Sequence, residues 1–209
     1  MSTKVKICGI TNLDDALAAC DAGADALGFN FAPEARKRNR YIAPDDAWRI
    51  VEKLPPFVLK VAVCVNAPSE EVRRYLEFLD RVQLHGEESP EYCADIAARA
   101  IKVFRVAEGF QPEAMLVYPT AAFLLDAAVP EMRGGTGHTF NWEVAKRASA
   151  LGRPLILAGG LTPENVAEAV RQVRPYAVDT AGGVESAPGK KDHERIRIFI
   201  RNAKSSIPG

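Results

Sequence analysis

The sequence predicts an α/β protein built as a single (β/α)8 TIM barrel over residues 1–209, and three observations predict it. Apolar run, polar loop and amphipathic helical pattern alternate along the whole chain. The apolar runs are rich in Val, Ile, Leu and Phe and lack clean alternation, as strands buried on both faces do. Eight such units leave no segment over, and at about 26 residues each they suit a compact closed barrel. A doubly wound open sheet is the structural alternative, because alternation alone fits both. The count of eight favours the barrel.

The predicted strands are Val5–Cys8, Ala26–Phe31, Leu59–Val65, Arg81–Leu84, Ile101–Val106, Ala122–Asp126, Leu155–Ala158 and Ala177–Thr180. Each is followed by a helical pattern. Asn12, Ser69, Ser89 and Thr162 each precede Pro or acidic residues, as N-caps do: the cap oxygen satisfies free amides and acids suit the positive helix end. Gly23 and Gly152 fall where helices should stop. Further helices are predicted over Pro44–Leu54, Pro112–Val117, Trp142–Leu151 and Asp192–Asn202. No low-complexity or linker-like segment divides the chain.

Composition narrows the function classes. Apolar residues are 47% and charged residues 26%, which excludes a disordered chain. Lys+Arg and Asp+Glu are 27 each, so a neutral chain offers no electrostatic footprint for nucleic acid or an anionic membrane. An anionic ligand has to be caught locally, by backbone amides and a few placed cations. The four cysteines, Cys8, Cys20, Cys64 and Cys93, show no metal-site spacing. The N-terminal residues lack the long apolar core of a signal peptide, and the apolar runs are too short to span a bilayer. The expectation is a reducing cytoplasm with the cysteines as thiols.

In a barrel of this kind, chemistry sits at the C-terminal ends of strands. Strand seven runs into Gly159-Gly160 and strand eight is followed by Gly182-Gly183. Glycines let the backbone approach a ligand closely, and paired loops after strands seven and eight are the usual phosphate site of the fold. Taken singly, each glycine reads equally as a turn or cap residue. Cys8 ends strand one at the mouth and precedes Gly9, so its thiol is a candidate base or nucleophile. Cys20, Cys64 and Cys93 read as small hydrophobes. Asp126 closes an apolar strand and is either a cap or structural partner, or a general acid. Arg40 lies in a basic loop over the mouth, either a solvated face or an anion clamp. If Cys8 points inward so does Lys6, and a Lys6–Asp179 ion pair between neighbouring strands one and eight is expected.

These residues resemble a known family. Lys6-Ile7-Cys8-Gly9-Ile10-Thr11, Gln83-Leu84-His85-Gly86, Leu124-Leu125-Asp126, Gly134 to Gly137 with Thr139, Phe140 and Trp142, Ala158-Gly159-Gly160-Leu161 with Pro163 and Asn165, and Val178-Asp179 through Pro188 to Asp192 look like phosphoribosylanthranilate isomerase, from end to end and in order. The resemblance implies a (β/α)8 barrel of tryptophan biosynthesis that works without cofactor or metal. Its reaction is an Amadori rearrangement of a phosphosugar, N-(5-phosphoribosyl)anthranilate. It implies Asp126 as general acid, Cys8 as general base, Arg40 on the anthranilate carboxylate, and Gln83, His85 and Asp179 as substrate-binding residues. The amides of Gly159, Gly160, Gly182 and Gly183 would hold the phosphate. Family members occur as monomers, homodimers and fusions.

Two segments depart from the family pattern. The loop over residues 32–39 is longer and more basic than usual, which makes Arg36 and Arg38 alternatives to Arg40. After strand eight, Ala181-Gly182 stand where the family has two serines, so the phosphate would rest on amides alone. Each lost neutral hydrogen bond is worth about 0.5–1.5 kcal/mol, a several-fold loss of affinity. The rival readings are another phosphosugar isomerase or synthase on the same barrel, and a binding protein without chemistry. Cys8 and Asp126 together argue against the last.

Overall fold

The computed structural model describes residues 2–126 and 142–206. The strands are β1 (Lys4–Cys8), β2 (Ala26–Asn30), β3 (Leu59–Cys64), β4 (Arg81–Leu84), β5 (Ala100–Arg105), β6 (Ala122–Asp126), β7 (Leu155–Ala158) and β8 (Ala177–Thr180). Each falls within one residue of its expected bounds. They pair in parallel and in sequence order, and β8 pairs back onto β1, so the barrel is closed and the open-sheet alternative is excluded.

Closure explains the unalternating apolar runs, since each strand is buried on both faces. Outward side chains such as Ile7, Leu27, Phe29, Leu84, Phe123, Leu125 and Val178 pack with the helices in one large cluster. Inward side chains form a second, smaller cluster of Val61, Ile101, Val103, Ala122, Leu124, Ile156, Ala158 and Ala177. That apolar plug fills the barrel towards its floor. Lys6, Cys8, Gln83 and Asp179 share the inward face, and the last three open onto the mouth.

The helices are α1 (Leu13–Asp21), α2 (Pro44–Val51), α3 (Ser69–Tyr75), α4 (Pro90–Ala94), α5 (Trp142–Ser149), α6 (Val166–Val173) and α7 (His193–Lys204). Asn12 caps α1 by accepting from the Asp15 amide at 2.8 Å, and Ser89 caps α4. Two expected caps are displaced. Ser69 is the first residue of α3, with Pro68 at the cap position and no side-chain cap bond. Thr162 caps a turn instead, accepting from the Glu164 amide, and α6 starts four residues later because Asn165 is drawn back onto the Thr162 amide. Pro112–Val117 is a tight 3-10 turn rather than an α-helix. Gly23 and Gly152 do end helical segments, at φ of 92° and 77°.

One unit has an addition. Between β8 and α7 a short hairpin, β9 (Glu185–Ala187) with β10 (Lys190–Lys191), reaches the loops after β1 and β2. Asp15 of α1 anchors it, accepting from the Lys191 amide and lying 2.8 Å from His193 Nε2. The Gly134–Gly137 and Thr139–Phe140 part of the sequence motif lies outside the described residues.

Candidate active site at the barrel mouth

The mouth holds a cavity of about 470 Å³. Its lining includes Cys8, Arg40, Gln83, His85, Asp126, Asp179 and the Gly159-Gly160 and Gly182-Gly183 pairs. Every sequence-predicted site residue therefore borders one space. A small phosphosugar needs a few hundred cubic ångströms, so the scale fits.

Cys8 ends β1 in a charged niche. Lys6 Nζ donates to Asp179 Oδ1 at 3.0 Å across the paired strands, as expected from alternation, with both side chains buried. Burial works against the Lys6 charge, but Asp179 and Cys8 outweigh it and hold its pKa above the ordinary lysine value. Burial pushes the Cys8 thiol up, and Asp179 adds to this, while Lys6 and Lys191 pull it down. Two lysines are thus placed to favour the thiolate against burial and Asp179. Gly28 makes the niche possible: a Cβ there would lie 2.7 Å from Cys8 Sγ and 3.1 Å from Lys6 Nζ.

Asp126 ends β6. His85, just past β4, reaches over so that its Nε2 lies 3.3 Å from Asp126 Oδ2. The His85 amide is itself held by the Cys64 carbonyl at 2.8 Å. Gln83 lies below, 2% exposed, and its Oε1 has no hydrogen-bond partner among the described residues. A buried acceptor left so is costly unless a ligand or water meets it.

The two glycine loops are locked to one another. Thr180 Oγ1 donates to the Leu161 carbonyl at 2.7 Å. Gly183 presses on the same carbonyl, where a Cβ would come within 1.9 Å of the oxygen. Asn165 Nδ2 holds the Gly160 carbonyl at 3.0 Å. Gly159 and Gly160 adopt φ of 91° and 64°, the left-handed region that only glycine enters freely. Such a nest of aimed amides suits an anion.

Arg40 lines the cavity and reaches these loops. Its side chain crosses Gly9 and ends above Gly182, where a Cβ would meet Nη2 at 2.7 Å. Nε and Nη2 donate to Glu185 at 2.9 and 2.7 Å, and Lys191 Nζ also donates to Glu185 at 2.9 Å. Burial tends to raise the Glu185 pKa, but the Arg40 and Lys191 hydrogen bonds hold it below the usual carboxylate range. Burial lowers Lys191, against the opposing pull of Glu185. Of the two alternatives, Arg38 borders the cavity, whereas Arg36 turns away to stack 3.8 Å over the Tyr41 ring.

Sequence reasoning assigns no role to Glu185, Lys191 or Gly28. Glu185 and Lys191 sit in a hairpin with no apolar period, so their convergence on Arg40 and Cys8 is a tertiary fact. Gly28 reads as an ordinary strand glycine, although a glycine inside a strand does signal close approach.

The chain matches the family model described as N-(5'-phosphoribosyl)anthranilate (PRA) isomerase over residues 5–202. A relative from Geobacter sulfurreducens named N-(5'-phosphoribosyl)anthranilate isomerase is 54% identical over 203 residues, covering 96% of this chain and 98% of that one. Among solved structures, phosphoribosyl anthranilate isomerase from Thermotoga maritima superposes with a TM-score of 0.86 at 49% identity, covering 97% of this chain and 98% of that one. A phosphoribosyl anthranilate isomerase in complex with reduced 1-(o-carboxyphenylamino)-1-deoxyribulose 5-phosphate gives 0.84 at 45% identity, with coverage of 97% and 98%. The barrel, its order of strands and the full-length match agree: the chain belongs to the N-(5'-phosphoribosyl)anthranilate isomerase family.

Proposed function

We propose that the mouth cavity performs the family's isomerisation in tryptophan biosynthesis, with Asp126 as general acid and Cys8 as general base. The observation that carries this reading is their placement: a thiol among lysines and a carboxyl beside an imidazole border one cavity from β1 and β6. The substrate is N-(5-phosphoribosyl)anthranilate and the product 1-(2-carboxyphenylamino)-1-deoxyribulose 5-phosphate.

The steps follow from the groups. Asp126 gives its proton to the ribose ring oxygen; the C1–O bond breaks and the anthranilate nitrogen forms an iminium with C1. The Cys8 thiolate takes the proton from C2, and that electron pair becomes the enolamine double bond. Tautomerisation moves a proton from the C2 hydroxyl to C1 and leaves the ketone. Acid and base act on opposite sides of one sugar, so holding the sugar in register matters as much as the groups themselves. The amides of Gly159, Gly160, Gly182 and Gly183 hold the phosphate. Arg40, already oriented by Glu185, turns its remaining N–H groups to the anthranilate carboxylate. Gln83 Oε1 accepts from a sugar hydroxyl. Asp179 keeps Lys6 charged beside Cys8, and His85 fixes the rotation of the Asp126 carboxyl.

The test is loss of fluorescence from freshly made phosphoribosylanthranilate on adding the purified protein. Rapid loss that Cys8→Ser and Asp126→Asn each reduce by about 100-fold or more supports both roles. Near wild-type turnover in either variant removes that role.

A further inference from the structure

A further buried ion pair lies outside the cavity and takes no part in the steps above. Lys102 is on the outward face of β5 and Glu88 follows the Gln83-Leu84-His85-Gly86 segment. Lys102 Nζ donates to Glu88 Oε2 at 2.7 Å, with side chains 4% and 2% exposed. Burying two charges recovers little stability over apolar residues of the same size, so such a pair is better understood through the geometry it imposes.

That geometry converges on one residue. Lys102 Nζ also donates to the Gly86 carbonyl at 2.6 Å. Glu88 accepts from the Gly86 amide at 3.0 Å and from the Asn66 amide at 2.9 Å. Gly86 is thus gripped on both its N–H and its C=O. Asn66, at φ 49°, accepts from the Glu87 amide at 2.7 Å and packs so close that a Cβ on Gly86 would come within 2.3 Å of its Oδ1. His85 is the residue immediately before Gly86, and its ring is the one against Asp126.

We propose that Lys102 and Glu88 are positioning residues for the reaction, fixing His85 against Asp126 by clamping the Gly86 backbone on both sides. This rests on the reading of Asp126 as general acid steered by His85. A small shift of a reacting group costs far more rate than binding, so the clamp acts on turnover and not on substrate affinity.

The test is a double-mutant cycle on turnover of phosphoribosylanthranilate. Replacing one partner leaves a lone buried charge, so the pair is removed together as Lys102→Met with Glu88→Met, since a glutamine would keep an oxygen to accept from the Gly86 and Asn66 amides. A kcat about tenfold lower with KM within about twofold is expected, and no further loss when the pair is removed in a His85→Ala background. The same fractional loss in both backgrounds, or an unchanged kcat, overturns the proposal. Should the paired variant fail to fold, Asn66→Gly decides: glycine adopts the left-handed φ freely, and the change releases the same loop from its exposed side. It should lower kcat only where His85 is present; an equal loss without His85, or none with it, overturns the proposal. A wild-type kcat in His85→Ala removes the premise and the proposal together. The effect of Asp126→Asn tests the general acid separately, so the two failures are distinguishable.

Discussion

Lys6 Nζ and Asp179 Oδ1 meet at 3.0 Å across the seam where the first and eighth strands close the barrel. The pair serves two ends, since it satisfies two charges inside the barrel and places a cation beside Cys8. These ends separate by substitution. Lys6→Met leaves Asp179 buried and unpaired and should cost about 3–5 kcal/mol in urea unfolding. Lys6→Met with Asp179→Leu should recover most of that stability, yet turnover should stay low because the thiolate has lost its nearer lysine. Recovery of turnover along with stability would show that the pair is structural only.

The same niche sets a pH dependence. As the proposed base, Cys8 acts only as thiolate, and burial holds its pKa above the ordinary thiol value. The kcat/KM profile should therefore have a limb that rises with pH into the alkaline range. Removing Lys6 takes away a group that lowers the thiol, so the limb should move to higher pH. A limb unmoved by Lys6→Met would assign it to another group.

Arg40 and Glu185 form the tie between the loop after β2 and the hairpin after β8. Arg40→Ala should raise KM at least about tenfold, the range of a lost charge-assisted bond, with kcat changed less than about threefold. Arg38→Ala should raise KM less than about threefold, because Arg38 borders the cavity without that brace. The reverse order in steady-state kinetics would give the carboxylate to Arg38.

Gly183 tests the phosphate loops. A Cβ there would overlap the Leu161 carbonyl, and backbone cannot step aside as a flexible side chain can. Gly183→Ala should cost about 1–3 kcal/mol and raise the inhibition constant of inorganic phosphate severalfold. An unchanged inhibition constant would place phosphate elsewhere.

Cys64 makes a prediction about the fold alone. Burial pushes its thiol up to about 12. The folded state keeps the proton that the unfolded chain releases near the ordinary value of about 8.5, so stability falls as pH rises between those limits. Its share of the slope approaches about 1.4 kcal/mol per pH unit. Guanidinium unfolding across that range should show a shallower decline in Cys64→Ala; parallel slopes would sink the assignment.

The barrel was legible because closure buries both faces of each strand, and such strands announce themselves as short apolar runs. Cys8, Asp126 and the glycine pairs were legible because they interrupt those runs at their ends. The Lys6–Asp179 pair followed from alternation plus the adjacency of strands one and eight. Thr162 misled because its local cap pattern competes with a tertiary demand: Asn165 turns back to hold the loop over Gly160. Glu185, Lys191 and Glu88 lie where no period reports direction, and alternation turns Lys102 outward without naming its partner; only the folded chain brings each to its partner.

The closing seam has a consequence during synthesis. Lys6 and Asp179 stand 173 residues apart in the chain. At ribosomal speeds of about 5–20 residues per second, β1 waits roughly 10–35 s for β8 to emerge. Throughout that wait the nascent sheet presents an unpaired edge, the surface most able to recruit a neighbouring polypeptide. Lys6 sits on that edge as a charge without its later partner. The cation that ends up beside the thiol thus spends its first moments as a guard against misassembly on the polysome.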